Sequence, residues 1–142
     1  MLWRKSKLLQ GLVEEALKCF TYRGLPYQLF YELTAFIDRF IQYDWEKRIR
    51  VQGVMGKTYK SDIDETIRTK KGICLDIAVL LAGMCRMCCI PCKVIYGYSV
   101  VRGVPISHAW VSAYFDGKWN QYDPTYKKLG VTNVTYEEKA KR

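Results

Sequence analysis

Histidine is almost missing from this chain: one residue, His108, occurs in 142. A mechanism that moves protons through an imidazole therefore has a single candidate base. Long apolar runs are missing too. No stretch approaches the ~18 residues needed to cross a bilayer, which excludes a membrane-spanning helix. The opening Met1-Leu2-Trp3-Arg4-Lys5-Ser6-Lys7 is basic, but it passes into an amphipathic stretch containing Glu14 and Glu15, unlike a signal peptide. The sequence as given points to a cytoplasmic protein, with a secreted or cell-surface one open if a leader was removed. Repeats, low-complexity tracts and linkers are absent. One domain over 1–142 is expected, helical over about 5–90, a sheet over about 92–125, then a short charged tail over 126–142.

Acidic residues are outnumbered, 14 against 23 Lys and Arg, for a net charge of +9. Such a surplus favours acidic partners. The basic residues are scattered and no helix carries a continuous basic stripe, so nucleic acid is not favoured. Four of the six cysteines form Cys85-x-x-Cys88-Cys89-x-x-Cys92. The spacing resembles a structural zinc site. The context favours small buried hydrophobes instead, because Cys85 and Cys88 continue a helical pattern and Cys92 opens a strand. Neither a metal nor a cofactor is expected, and disulfides are not expected in a reducing compartment.

Leu8, Leu9, Leu12, Val13, Ala16 and Leu17 repeat at helical spacing, as do Leu29, Phe30, Leu33, Phe36, Ile37, Phe40 and Ile41 after Pro26. Both stripes read as core packing. The pattern fades from Gln42 to Thr58, where Gly53 and Gly56 mark a loop. Ser61 to Arg68 reads as a short helix capped by Ser61 or Asp62, and Lys70-Lys71-Gly72 as a turn. A third long helix starts near Cys74 and stops at Ile90-Pro91. The rest is strand-like: Lys93 to Val101, a turn at Arg102-Gly103, Ile106 to Phe115, a hairpin turn at Asp116-Gly117, and Lys118 to Asp123. Helices followed by antiparallel strands make an α+β domain.

The Asp116-Gly117 turn fixes a register in which Phe115 pairs with Lys118 and Trp110 lies opposite Asp123. His108 then becomes a diagonal neighbour of Asp123 on one face, roughly 7–8 Å between Cβ atoms, within reach of an imidazole–carboxylate hydrogen bond. The other face carries Ala109, Val111, Ala113 and Phe115, which reads as packing. Cys74 sits where a loop meets a helix, and a helix N-terminus favours the thiolate. Gly72 is expected to allow a tight turn there. Free N–H groups of the first turn point where an oxyanion would form. Cys74 as nucleophile, His108 as proton carrier and Asp123 as the group orienting the ring complete a set of catalytic roles.

Lys71-Gly72-Ile73-Cys74 opening a helix resembles the nucleophile motif of the transglutaminase-like superfamily. Arg86 with Ile90-Pro91-Cys92-Lys93-Val94 resembles its helix exit and first strand, Ser107-His108-Ala109-Trp110-Val111 its histidine strand, and Asp116-Gly117-Lys118-Trp119 with Tyr122-Asp123-Pro124-Thr125 its aspartate strand. Ile41-Gln42-Tyr43-Asp44 is similar to the lead-in of bacterial members. Cys89 departs from the pattern, since the family usually has Gly before the Ile-Pro. Calcium dependence, known in larger members, is not supported because no acidic calcium loop is visible. The resemblance implies a papain-like core, with the N-terminal helices packed on a C-terminal antiparallel sheet and Cys74 facing His108 and Asp123. It implies a second oxyanion donor, for which Tyr43 is the candidate and Trp45 and Tyr59 are further choices. Trp110 is a candidate cleft wall, with Tyr114 and Trp119 filling space on the same face. The activity implied is that of a peptidase or amide hydrolase acting through an acyl-enzyme on a protein or peptide, and the net charge of +9 points to an acidic one. Acyl transfer to an amine, a non-catalytic binding module and a zinc protein are the alternatives.

Overall fold

The structure is a computed structural model that describes residues 3–20, 24–51 and 59–139. A short 3-10 turn, Trp3–Lys5, leads into α1 (Lys7–Lys18), capped by Ser6 accepting the Leu9 N–H. Pro26 opens α2 (Pro26–Phe40) at its first turn. The buried faces of these helices, Leu9, Leu12, Val13 and Ala16 on one and Leu29, Phe30, Leu33 and Ile37 on the other, follow the apolar spacing of the sequence. They share a core with Ile77, Leu80, Leu81 and Met84 of α5 (Cys74–Met87). All residues of α5 from Cys74 to Cys85 are buried, so it is the central helix of the domain.

Between α2 and α5 the structure departs from the expected loop. Gln42–Tyr43 forms β1, Trp45–Val51 forms α3, and Lys71–Gly72 forms β2, which pairs with β1 in parallel. Gly53 and Gly56 lie outside the described residues. The short helix α4 (Ile63–Thr69) is capped by Asp62 and ends at Lys70 in the left-handed conformation.

Beyond α5 lies a four-stranded antiparallel sheet in the order β5-β4-β3-β6. It is built from β3 (Cys92–Val101), β4 (Val104–Phe115), β5 (Lys118–Tyr122) and β6 (Val134–Glu138). Both hairpins turn on two residues with positive φ, Arg102-Gly103 and Asp116-Gly117. The β4–β5 register is the one the turn dictates, Phe115 opposite Lys118 and Val111 opposite Tyr122. Ala109, Val111, Ala113 and Phe115 are buried in the core. Two elements occupy the residues expected to form a charged tail. Helix α6 (Pro124–Leu129) follows β5 directly, and β6 adds to the free side of β3 over Gly97 to Val101. The cysteine cluster is part of the packing: Cys85 and Cys92 are buried with their thiols hydrogen-bonded, which, with burial, pushes the Cys85 thiol up. No group of three or more His, Cys, Asp or Glu placed to hold a metal ion occurs among the described residues. No described helix is long and apolar enough to cross a membrane.

Candidate active site

Cys74 is the first residue of α5 and is 2% exposed. The preceding residue, Ile73, has no oxygen in its side chain, so the first turn of α5 has no side-chain cap, unlike α1, α4 and α6. Asp76 instead turns its carboxylate back over the start of the helix. It accepts the Ile73 N–H at 3.0 Å, the Lys47 ammonium at 3.0 Å, the Tyr59 hydroxyl at 2.6 Å and the Ser61 hydroxyl at 2.6 Å. The carboxylate is fully buried, and a buried charge is tolerated when it is both paired and hydrogen-bonded in this way. Gly72 is required by space and not by a turn. Its φ is not positive, and a Cβ there would lie 2.7 Å from the Asp76 Cβ.

His108 is 4% exposed on β4. Its Nε2 meets Asp123 Oδ2 at 2.6 Å. Asp123 lies just beyond β5 as the cap of α6, not within the strand as expected. Its Oδ1 accepts the Thr125 and Tyr126 N–H groups at 3.1 and 3.0 Å, and the Tyr136 hydroxyl donates to Oδ2 at 2.9 Å. The Tyr126 ring stacks on the imidazole at 4.3 Å, with its hydroxyl tied to Ser99 at 2.7 Å. With Nε2 engaged, Nδ1 is left to meet Cys74, whose side chain is hydrogen-bonded to the ring. Burial alone would lower the imidazole pKa. The bonds to Asp123 and Cys74, and their charges, override burial and raise it to about 9. Among the described residues the three groups thus form one hydrogen-bonded chain of thiol, imidazole and carboxylate.

Tyr43 in β1 pairs with Gly72, two residues before the sulfur, and the Asp44 N–H bonds the Gly72 carbonyl at 2.9 Å. Burial first, and then the charge of Cys74, push the Tyr43 phenol up to about 12, so it is a neutral O–H donor. The Arg48 guanidinium acts in the opposite direction on both Tyr43 and Tyr126. The other donor choices are engaged or turned out. The Tyr59 hydroxyl is given to Asp76, and Trp45 is 62% exposed, edge-on to Tyr43 at 4.5 Å. Trp110 is 1% exposed, covered by Tyr136 and bonded through its indole N–H to Gln121 at 2.7 Å. It encloses the imidazole from behind and does not face an open cleft. Tyr114 and Trp119 share the face of His108, but they form an exposed pair at the far end of the hairpin and do not fill space around the site. Six residues of strand separate Tyr114 from His108, on the order of 20 Å.

Residues 32–124, more than half of the chain, match the transglutaminase-like superfamily. The chain belongs to this superfamily. Human kyphoscoliosis peptidase is 30% identical over 79 residues, which are 50% of this chain and 12% of that protein. A solved TGase structure superposes with a TM-score of 0.65 at 24% identity, covering 94% of this chain and 34% of its own. A proposed cysteine protease from Cytophaga hutchinsonii gives 0.61 at 22% identity, covering 92% of this chain and 51% of its own. The chain therefore spans about half or less of each of these relatives, and at such identities the two structures establish the α+β, papain-like fold. The superfamily frame also explains Cys89. It stands where glycine is usual and has a φ of 62°, while the Ile90 and Cys89 N–H groups close the helix on Cys85 and Arg86 carbonyls at 2.9 and 3.1 Å. That is the left-handed helix stop in which glycine carries no Cβ penalty.

Sequence reasoning did not find Lys47, Tyr126 or Tyr136, read Ser61 only as a candidate helix cap, and gave Asp76 no role. For Asp76 a signal existed: an acidic residue at the third position of a helix is placed to reach back to the residue before it. For the others there is none, because each is brought in from a distant element.

Proposed function

We propose that this domain is a cysteine-nucleophile amide hydrolase acting on polypeptides through Cys74, His108 and Asp123. The observation that carries this reading is the single imidazole of the chain, buried and hydrogen-bonded on one side to a thiol and on the other to a carboxylate. The sulfur of Cys74 attacks the carbonyl carbon, and the carbonyl π electrons move to oxygen. In this reading the uncapped N–H groups at the start of α5 and the neutral Tyr43 hydroxyl are the donors to the charge that develops there. Imidazolium His108 gives its proton to the departing amine as the C–N bond breaks, leaving a thioester on Cys74. Water then loses a proton to His108 and attacks the thioester. The acid leaves and the thiolate–imidazolium pair is restored. Asp123 holds the ring and favours its charged form throughout. An amine in place of water at the second step would give acyl transfer from the same thioester.

The reading is tested by time-resolved iodoacetamide labelling near neutral pH. Cys74 is expected to react faster than Cys19 and Cys89, although these two are exposed and it is buried. The excess should vanish in His108→Ala. Labelling of Cys74 no faster than of the exposed thiols would refute an activated nucleophile. Release of a free carboxylate from a peptide amide, lost in Cys74→Ala, distinguishes hydrolysis from transfer.

A further inference from the structure

A cleft of about 940 Å³ runs beside α5, and Leu75, Val79 and Arg86 contribute to its wall. Leu75 follows Cys74, and Leu75, Val79 and Val94 belong to the same apolar cluster as Cys74. Arg86 lies eleven residues along the helix from Leu75, about 16 Å away at a 1.5 Å rise. The opposite wall is β3, where Lys93, Val94 and Tyr96 border the cleft, and Lys5, Lys60 and the start of α4 close the third side. Lys93 sends its ammonium over the Trp119 ring at 4.5 Å, so what it presents to the cleft is main chain and stem.

This stretch of β3 is an open strand edge. The two-residue turn at Arg102-Gly103 makes Val101 and Val104 a hydrogen-bonded pair, so odd-numbered residues of β3 point their N–H and C=O at β4 and even-numbered ones point outward. The Lys139 N–H confirms the phase by donating to the Tyr96 carbonyl at 2.9 Å, and the Arg86 Nε donates to the outward Cys92 carbonyl at 2.8 Å. β6 covers Gly97 to Val101, and Lys139 just past its end holds the Tyr96 carbonyl. Between these points the Val94 N–H and C=O and the Tyr96 N–H face outward, with no backbone partner among the described residues. β3 runs along this edge toward Gly97, which pairs with His108.

We propose that this edge binds the substrate as an extended acidic polypeptide, added as a strand against Val94 and Tyr96 and led along α5 to Cys74. The substrate class rests on the hydrolase reading. The edge supplies main-chain pairing and the apolar floor of Leu75 and Val79 takes alternate side chains, as in strand addition. Charge selects the occupant. Lys5 and Lys60 are exposed at the rim. Asp62, which caps α4, and Asp64, which accepts the Ser6 hydroxyl, also line the cleft, but Lys5, Lys60, Arg86 and Lys93 outnumber them, so the lining keeps a net positive charge. The sequence following β6, Lys139-Ala140-Lys141-Arg142, has the same sign as the rim and is a poor match for it.

The test uses the Cys74→Ala protein, so that bound peptide is not consumed, and reads the fluorescence anisotropy of a fluorescein-labelled peptide of alternating glutamate and valine. Binding is expected to exceed that of the matched lysine–valine peptide by about tenfold or more at low salt, and to weaken about tenfold in Lys5→Glu/Lys60→Glu. N-methylation of alternate peptide nitrogens should abolish binding in one register and spare it in the other, since only one set meets the β3 edge. Absence of binding, equal binding of the two peptides, or indifference to methylation in both registers overturns the proposal. Because the assay needs no catalysis, slow labelling of Cys74 with peptide binding intact would refute the hydrolase reading alone.

Discussion

Two buried carboxylates, Asp76 and Asp123, do the same local task at opposite ends of the site. Each accepts backbone N–H at the start of a helix, Asp76 reaching back to Ile73 before α5 and Asp123 forward to Thr125 and Tyr126 of α6, and each takes a tyrosine hydroxyl, from Tyr59 or Tyr136. The difference lies in the remaining partner. Asp76 spends its charge on Lys47, a cation that takes no part in proton transfer, and so fixes the chain around Cys74. Asp123 spends its charge on His108, and so tunes a group that must gain and lose a proton. One carboxylate is a fastener and the other is part of the proposed chemistry.

The comparison predicts crossed effects. Asp123→Ala should lower kcat/KM by about a thousandfold, the scale of losing the group that orients a catalytic imidazole. Above about pH 9, where the imidazole is uncharged, the same change should cost about 1 kcal/mol of stability, for a lost helix cap. Asp76→Ala should reverse the order, costing about 3–5 kcal/mol in urea unfolding by leaving the Lys47 ammonium without its partner in a largely buried site. Equal stability losses in the two variants would erase the distinction.

A third expectation concerns pH. The folded-state pKa of His108, about 9, lies above its ordinary value of 6.5. The imidazolium therefore contributes stability that is fully present below about pH 6.5 and is lost as pH rises through about 9, on the order of 3 kcal/mol. Urea midpoints across that range should fall in the native protein and fall less in Asp123→Asn. A flat profile would mean that the imidazole is not held charged. The smallest effect belongs to the far end of α5. Cys89→Gly should raise stability by about 1 kcal/mol by relieving a left-handed Cβ, without changing thiol reactivity at Cys74.

The legible and illegible parts of the molecule divide by distance along the chain. Helices α1, α2 and α5 could be read because their apolar residues repeat over several turns. The β4–β5 register could be read because Asp116-Gly117 admits one pairing, and that pairing brought His108 and Asp123 together before any coordinates. The β1–β2 bridge could not, since two residues of parallel strand joined across a 28-residue separation leave no periodic trace. Nor could β6, where Val134-Thr135-Tyr136 lies among charged residues and is held by β3 and Asp123, not by a core of its own. Lys47 looked like one surface cation among many, and only the fold sets it against Asp76. The glycine at 72 was noticed for the wrong physical reason, crowding having been mistaken for chain flexibility.

That crowding ties position 72 to the sulfur more tightly than sequence spacing suggests. A single methyl group there would press first on a carboxylate and, through it, on a lysine, a phenol and a serine from two other segments. The bare position and the acid flank the thiol at a spacing of two and two, so the packing that fixes Asp76 also fixes the backbone from which Cys74 projects.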